Sequence, residues 1–421
     1  MNIIYINHYA GSPKMGMEFR PYYLAKEWIN KGHDVTIIAG SYSHLRKENP
    51  IVDKDFTEEI IDGIRYVWIK TRSYSSNGSA RAMSMVDFCK KIYKNAKNIS
   101  RKYKPSVVIS SSTYTFDTYP SHRIAKISKC KYIHEAHDLW PLTLVEVGGM
   151  SKFHPFVIAM GKAETSAYKN SDAVISLFPK AYEHMLKHGL QNMDKYSCIP
   201  NGISLSEWTD AENIDEEYKK LDEEHRNLFE RLKRDGKFIV CYLGGHAISN
   251  ALIYLIKAAK ISRHNEDISY VLVGDGMEKD RLRQIAVAEG LGNIFFLPPI
   301  QKTKVPALLS MADALYVGAY VGAEKSSLYR FGVSMNKVYD YMMSAKPIIY
   351  AVSAANNDVE EANCGIVIEP ENPDEIFNAI LELKALSKKE RNEMGERGKE
   401  YVLSHYDYRI LAEKFLLVME Q

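Results

Sequence analysis

The chain has 421 residues, 46% of them hydrophobic and 26% charged, with a formal net charge of +2. Those proportions fit a folded chain with large buried cores, expected as two or three domains, and exclude intrinsic disorder. No apolar run reaches the roughly 18 residues a membrane-crossing helix needs; the first residues lack the basic stretch and apolar core of a secretory signal; and the five cysteines (Cys89, Cys130, Cys198, Cys241, Cys364), with no CxxC pair, fit the reducing cytoplasm better than a disulfide framework.

In chain order, short apolar runs read as buried strands at 3–7, 35–40, 106–112, 131–138, 173–178 and 196–202. Helical periodicity fills 18–32, 83–104 and 155–170. The pattern restarts with runs at 238–245, 270–276, 294–300, 314–319, 347–352 and 365–370. Short strands joined by helices imply parallel sheets covered on both faces, and the restart predicts two successive doubly wound α/β units. Their expected extents are 1–204 and 237–404, with a charged, exposed linker carrying a helix over 205–236 and a terminal helix over 405–421 packing back on the first unit. Two facing units of this kind form a cleft between the carboxyl ends of their sheets, where ligands bind.

The net charge hides an asymmetry. Residues 1–200 carry 28 Lys+Arg against 18 Asp+Glu, and residues 201–421 carry 27 against 35. The segment 90–104 concentrates it: Lys90, Lys91, Lys94, Lys97, Arg101, Lys102 and Lys104 occur there with no acidic residue. A basic helix face with interleaved tyrosines suits an anionic membrane surface, or is a plain solvated face. No recognition module accompanies the charge, so no nucleic-acid partner is expected.

Several loops are candidates for chemistry. Gly11 and Gly16 have P-loop spacing, but Met17 and Glu18 stand where Lys and Ser/Thr are required, and GxGxxG is absent. What remains is a Gly-containing turn ahead of a helix, either a phosphate approach or an ordinary turn. HEAHDLWP (134–141) lacks HExxH spacing, and alternation puts His134 and His137 on opposite faces, so no metal site is expected. His137 and Asp138 at a strand's carboxyl end read as substrate ligands or as a buried structural pair. Asp53-Lys54-Asp55 is a DxD in a polar stretch and reads as a solvated loop.

In the second half, Gly244 and Gly245 in LGGHAISN let a ligand approach the backbone where a helix begins. In RFGVSMNKVYDYM (330–342), Ser334 is a candidate N-cap, Asn336 and Lys337 occupy the first turn, and Asp340 lies one turn on. A cation at a helix N-terminus opposes the helix dipole, which is explained if Lys337 offsets a bound phosphate; the alternative is a solvent-facing lysine.

The order INHYAGSP, GMEFRPYYLAKEW, GHDVTIIAG, HDLWP, IPNG, LVGDG, NKVYDYM and KPII resembles the retaining glycosyltransferase family 4, of GT-B fold, over nearly the whole chain. It is most similar to the bacterial branch that builds O-antigen, capsule and lipopolysaccharide units, including N-acetyl-L-fucosamine transferases. The resemblance implies a nucleotide-diphosphate sugar donor, with UDP the expected nucleotide, held by the C-terminal domain. It implies an acceptor held by the N-terminal domain, a polyprenyl-diphosphate-linked glycan at the inner membrane face, and retention of configuration without a metal or cofactor. By position, Gly16 matches the N-terminal glycine loop, His137 the histidine at the donor sugar, Gly244 and Gly245 the turn beside the phosphates, and Asp340 the second acidic residue of the paired motif, which holds the ribose.

Two departures stand out. The first acidic residue of that pair falls at Gly332, for which Glu324 or backbone groups of Phe331–Val333 are candidate substitutes. The usual Arg and Lys after the first C-domain strand are absent from GGHAISNAL, which leaves Lys337 and helix termini for the diphosphate charge. The resemblance further implies front-face attack, in which a departing phosphate oxygen takes the acceptor's proton. Competing readings are a sugar-nucleotide 2-epimerase of similar fold and a non-catalytic sugar-nucleotide-binding subunit.

Overall fold

Residues 1–16, 19–74, 78–208, 214–320 and 328–421 are described by a computed structural model. They divide into a first unit of Met1–Asn201, Arg330–Ser334 and Tyr408–Gln421, and a second of Gly202–Tyr329 and Met335–Asp407.

The first unit is built on β1 (Asn2–Ile6), β2 (Asp34–Gly40), β3 (Thr57–Ile61), β4 (Ile64–Ile69), β5 (Val107–Ser110), β6 (Lys131–Ala136), β7 (Ala173–Ser176) and β8 (Tyr196–Cys198). They form one sheet in the order β3-β4-β2-β1-β5-β6-β7-β8. β3 and β4 pair antiparallel and the remaining neighbours pair parallel. Alternation along β1 feeds two cores: Ile3 and Tyr5 join the layer containing Trp28, whereas Ile4 and Ile6 join the layer containing Phe88 and Ile92. The helix Tyr408–Glu420 belongs to this unit, with Phe415 edge-on to Trp28 at 5.1 Å and the Trp28 indole N–H donating to Ala412 O.

The second unit is built on β9 (Phe238–Leu243), β10 (Ile268–Val273), β11 (Ile294–Leu297), β12 (Ala314–Gly318), β13 (Ile348–Ala351) and β14 (Gly365–Val367), in the order β11-β10-β9-β12-β13-β14, parallel throughout. Along β9, Ile239 and Cys241 enter one core, and Phe238, Val240 and Tyr242 the other.

Each apolar run expected as a strand forms one, most of them shorter than expected and β1, β2 and β10 beginning one or two residues earlier, and the three expected helices appear as Phe19–Asn30, Ser79–Tyr103 and Pro155–Asn170. The hairpin β3–β4 lies outside the expected set. β3 is an edge strand with exposed Glu58, Glu59 and Ile60, so it carries no apolar run. Its signal is Asp62-Gly63, whose φ values of 51° and 87° make the tight reversal typical of hairpins. The DxD loop before it is not simply solvated: the Asp55 carboxylate accepts from the Lys70 backbone N–H at 2.9 Å and Lys91 Nζ at 3.1 Å.

The expected exposed linker needs correction. Residues 209–213 lie outside the described residues, but Glu223–Arg234 is an amphipathic helix that buries Leu228, Phe229 and Leu232 in the second unit's core. The many charges occupy its outer face and mask the apolar stripe in a composition count.

Candidate functional site

In both sheets the strand order reverses, between β1 and β5 in the first and between β9 and β12 in the second. Open α/β sheets bind ligands beyond the carboxyl ends of the strands at such reversals. In the first unit, Asn7 directly after β1 donates through Nδ2 to Ser111 O, directly after β5, at 2.7 Å. His137 directly follows β6.

His137 is fixed by a buried network. Its Nε2 lies 2.8 Å from Ser111 Oγ and 3.1 Å from Glu135 Oε2. The Ser111 hydroxyl donates to Glu135 Oε2 at 2.6 Å, so both neighbours act as acceptors for an Nε2–H. That places the tautomeric proton on Nε2 and leaves Nδ1 with no described hydrogen-bond partner. Glu135 also accepts from the Tyr5 hydroxyl at 2.5 Å and from Arg20 Nε and Nη2 at 3.0 and 2.8 Å. Arg20 continues to the carbonyls of Ile199 and Pro200. Burial alone would raise the Glu135 carboxyl, but Arg20 and His137 hold it well below the usual carboxylate range.

Asp138 does not share this role. Its carboxylate accepts from the Leu139 N–H, the Thr143 hydroxyl and the Trp140 indole N–H at 2.8, 2.7 and 3.2 Å. Local donors thus reach both oxygens, and the carboxylate braces the turn after β6. His134 turns the other way, bonding Ser110 Oγ at 2.9 Å.

In the second unit, the loop after β9 packs backbone against backbone on the loop after β10. Gly244 N–H donates to Val273 O and His246 N–H to Asp275 O. A Cβ on Gly274, at φ +143°, would stand 1.9 Å from Gly244 O, so the sequence needs glycine there. Gly245 O accepts from the Tyr242 hydroxyl at 2.7 Å and from Asn250 Nδ2 at 2.8 Å. The same two side chains accept from Lys337 Nζ, Asn250 through Oδ1 and Tyr242 through Oη, the latter at 3.2 Å. The structure therefore brings Gly244, Gly245 and Lys337 together through Tyr242 and Asn250, neither of which the sequence reading used. No described carboxylate pairs with Lys337, and burial lowers its ammonium to about 8.

The other expected residues divide. Asn336 opens the helix Asn336–Met343 with an exposed side chain, but the N-cap is Met335. Ser334 is not the cap, because its hydroxyl accepts from the Asn201 N–H at 2.8 Å. Asp340 is held by Lys302 Nζ at 2.6 and 2.5 Å, a partner invisible in the sequence; burial still raises its carboxyl. Gly16 closes the turn Pro13–Met15, and Met17 and Glu18 lie outside the described residues. Gly332 has φ +110°, a left-handed value that disfavours any side chain at this position. Of the candidate substitutes, Glu324 lies outside the described residues, and Phe331 O already accepts from the Lys180 N–H.

On the helix Ser79–Tyr103, Lys90, Lys94, Lys97 and Arg101 are exposed beside exposed Met83, Val86 and Tyr93. Lys91 instead pairs with Asp55 and Asp87, and Lys102 with Glu58. Among the described residues no helix is long and apolar enough to cross a membrane.

Two doubly wound units with these strand orders define the GT-B architecture of glycosyltransferases. The sequence matches accordingly: residues 15–207 match the Glycosyltransferase Family 4 model and residues 223–401 the Glycosyl transferases group 1 model. The chain thus carries these two glycosyltransferase domains in tandem. It is 23% identical over 226 residues to an alpha-D-kanosaminyltransferase of Streptomyces kanamyceticus, covering 52% of this chain and 53% of that protein. It is 24% identical over 230 residues to the putative colanic acid biosynthesis glycosyl transferase WcaI of Escherichia coli K12, covering 54% of each. The chain spans about half the length of these curated relatives. Its fold is similar to that of HepE from Anabaena, solved in complex with UDP, with a TM-score of 0.68 and 14% identity over the whole of both chains.

Proposed function

We propose that the protein is a retaining glycosyltransferase. It transfers a sugar, N-acetylated or deoxy, from a UDP-linked donor to a glycan acceptor carried on a polyprenyl diphosphate, in bacterial surface-polysaccharide synthesis. The observation that carries this reading is Lys337: a cation with only neutral described partners, beside the Gly244–Gly245 turn at the reversal of the second sheet. A nucleotide diphosphate supplies the missing negative charge. Helix N-termini and backbone N–H groups add to that stabilisation as the diphosphate leaves.

In this reading Asp340 and its partner Lys302 serve the ribose end, and Asn336 lies beside the phosphates. His137, held through Nε2 by Glu135 and Ser111, orients the donor sugar and stabilises positive charge developing on its ring. The acceptor hydroxyl attacks from the face the diphosphate leaves, and a departing phosphate oxygen takes its proton. The exposed Lys90, Lys94, Lys97 and Arg101, with Tyr93 and Val86 among them, support docking on the anionic inner face of the membrane that carries such an acceptor.

A thermal-shift screen of nucleotides and sugar nucleotides, followed by a transfer assay, tests the reading. Stabilisation by UDP or a UDP-sugar, with UDP released only when acceptor is present, is expected. An epimerised donor, or UDP released without acceptor, would identify an epimerase instead. Donor binding with no turnover on any acceptor would identify a binding subunit. For membrane docking, flotation with anionic vesicles should fall as salt rises; no binding even at low salt would overturn it.

A further inference from the structure

A second cluster in the first unit lies apart from His137. The helix Pro155–Asn170 carries Glu164, and the consecutive turns Tyr182–Met185 and Leu186–His188 carry His184 and His188, one helical turn apart. The Glu164 side chain is 1% exposed. Its Oε1 accepts from the Tyr168 hydroxyl at 3.1 Å and lies 2.7 Å from His184 Nε2. Its Oε2 is buried with no hydrogen-bond partner among the described residues. That oxygen lies 3.7 Å from His188 Nδ1, beyond hydrogen-bond reach.

A buried carboxylate oxygen without a donor is costly, and this one sits beside a nitrogen it does not bond. The separation is close to what two ligands of one ion require, since donors bound at about 2.0–2.1 Å in a tetrahedron lie roughly 3.3 Å apart. One donor atom each from Glu164, His184 and His188 lie within 4.8 Å of one another. Two imidazoles one turn apart on a helical face, with a carboxylate from a neighbouring helix, are a donor set suited to zinc. His188, 43% exposed, opens the cluster to solvent and leaves a fourth position for water. The Tyr168 hydroxyl already orients the carboxylate from behind, as outer-shell partners of metal ligands do.

We propose that Glu164, His184 and His188 bind one zinc ion, which ties the helix Pro155–Asn170 to the turns at 182–188. The ion has a structural place beneath Phe331, whose ring stands 6.0 Å from that of His184. Binding joins Zn²⁺ to the Glu164 carboxylate and to two neutral imidazoles, and any proton on an imidazole is released to solvent.

The test uses the full chain, stripped with a chelator, and no sugar nucleotide, so it stands or falls separately from the transferase reading. Zn²⁺ is titrated against a chromophoric chelator into wild type, His188→Ala and Glu164→Gln, with His154→Ala as a control for surface histidines. One equivalent is expected, with at least about tenfold weaker binding in the two site variants and none lost in the control. Zn²⁺ should raise the unfolding temperature of wild type but not of His188→Ala, and Co²⁺ should give the visible bands of a four-coordinate site. His188 is exposed, so its alanine variant should keep the apo unfolding temperature. Equal Zn²⁺ affinity in wild type and His188→Ala, or no site-dependent Co²⁺ spectrum, would overturn the proposal.

Discussion

Two nitrogens of Arg20, Nε and Nη2, converge on a single carboxylate oxygen of Glu135, at 3.0 and 2.8 Å. This leaves the other oxygen to Tyr5, Ser111 and His137. The pair is almost wholly buried, with side-chain exposures of 4% and 0%. One end of it neutralises the charge, and the other end aims an imidazole.

Arg20→Ala strands a buried carboxylate and should cost about 3–5 kcal/mol, measured by urea unfolding near neutral pH. The pH dependence follows from the depressed Glu135 pKa. The folded state holds the carboxylate ionised better than the unfolded chain does. Its contribution is therefore complete above the ordinary glutamate value of about 4.3 and is lost as the pH falls below it. Wild type should lose stability on acidification through that range more steeply than Glu135→Gln.

Lys337→Ala should weaken UDP binding by about 10–100-fold, the value of a charge-assisted hydrogen bond. The Lys337 ammonium is lowered to about 8 by burial, so wild-type affinity should fall as the pH rises through that value. Binding at pH 8 should take up protons, seen by calorimetry in buffers of different ionisation enthalpy, and the alanine variant should lose this uptake. Without ligand the sign is opposite for stability. The folded state sheds a proton that the unfolded chain keeps up to its ordinary lysine value, so this group's contribution rises with pH across that interval.

His137 and Asp138 are adjacent yet should behave differently. His137→Ala should lower turnover on the order of 10²-fold with UDP affinity nearly unchanged. Asp138→Ala removes the acceptor of the Leu139, Trp140 and Thr143 donors and should cost about 1–3 kcal/mol of stability. Thermal unfolding and initial rates measured on the same preparations separate the two. A turnover loss in Asp138→Ala without a stability loss would mark it as a substrate ligand.

Gly274→Ala places a methyl 1.9 Å from the Gly244 carbonyl, where backbone faces backbone and no side chain can yield. A stability loss of at least about 2 kcal/mol is expected. A wild-type unfolding temperature in that variant would show that the two loops can separate without penalty.

The alternation of short apolar runs with helical periods determined the second sheet and all of the first but its β3–β4 hairpin, because burial on two faces requires continuous apolar strands and leaves little choice of element. Local chemistry also placed His137 at a strand end and Lys337 in a first helical turn, since both positions follow from where a run stops. The edge strand β3 and the buried helix Glu223–Arg234 escaped, because an edge strand and a charge-rich amphipathic helix show their solvent faces in any composition count; β4, internal and apolar, does not share that reason. Partnership was decided only by the tertiary structure. Arg20 meets Glu135 across 115 residues, Lys302 meets Asp340 across 38, and Tyr242 and Asn250 meet Lys337 across 95 and 87. Ser334 yields the N-cap to Met335 and accepts from the distant Asn201 N–H instead, while Asp138 meets donors from its own turn. A polar side chain's chemistry depends on which donors and charges enclose it, and in these units chain topology brings those groups together from distant parts of the sequence.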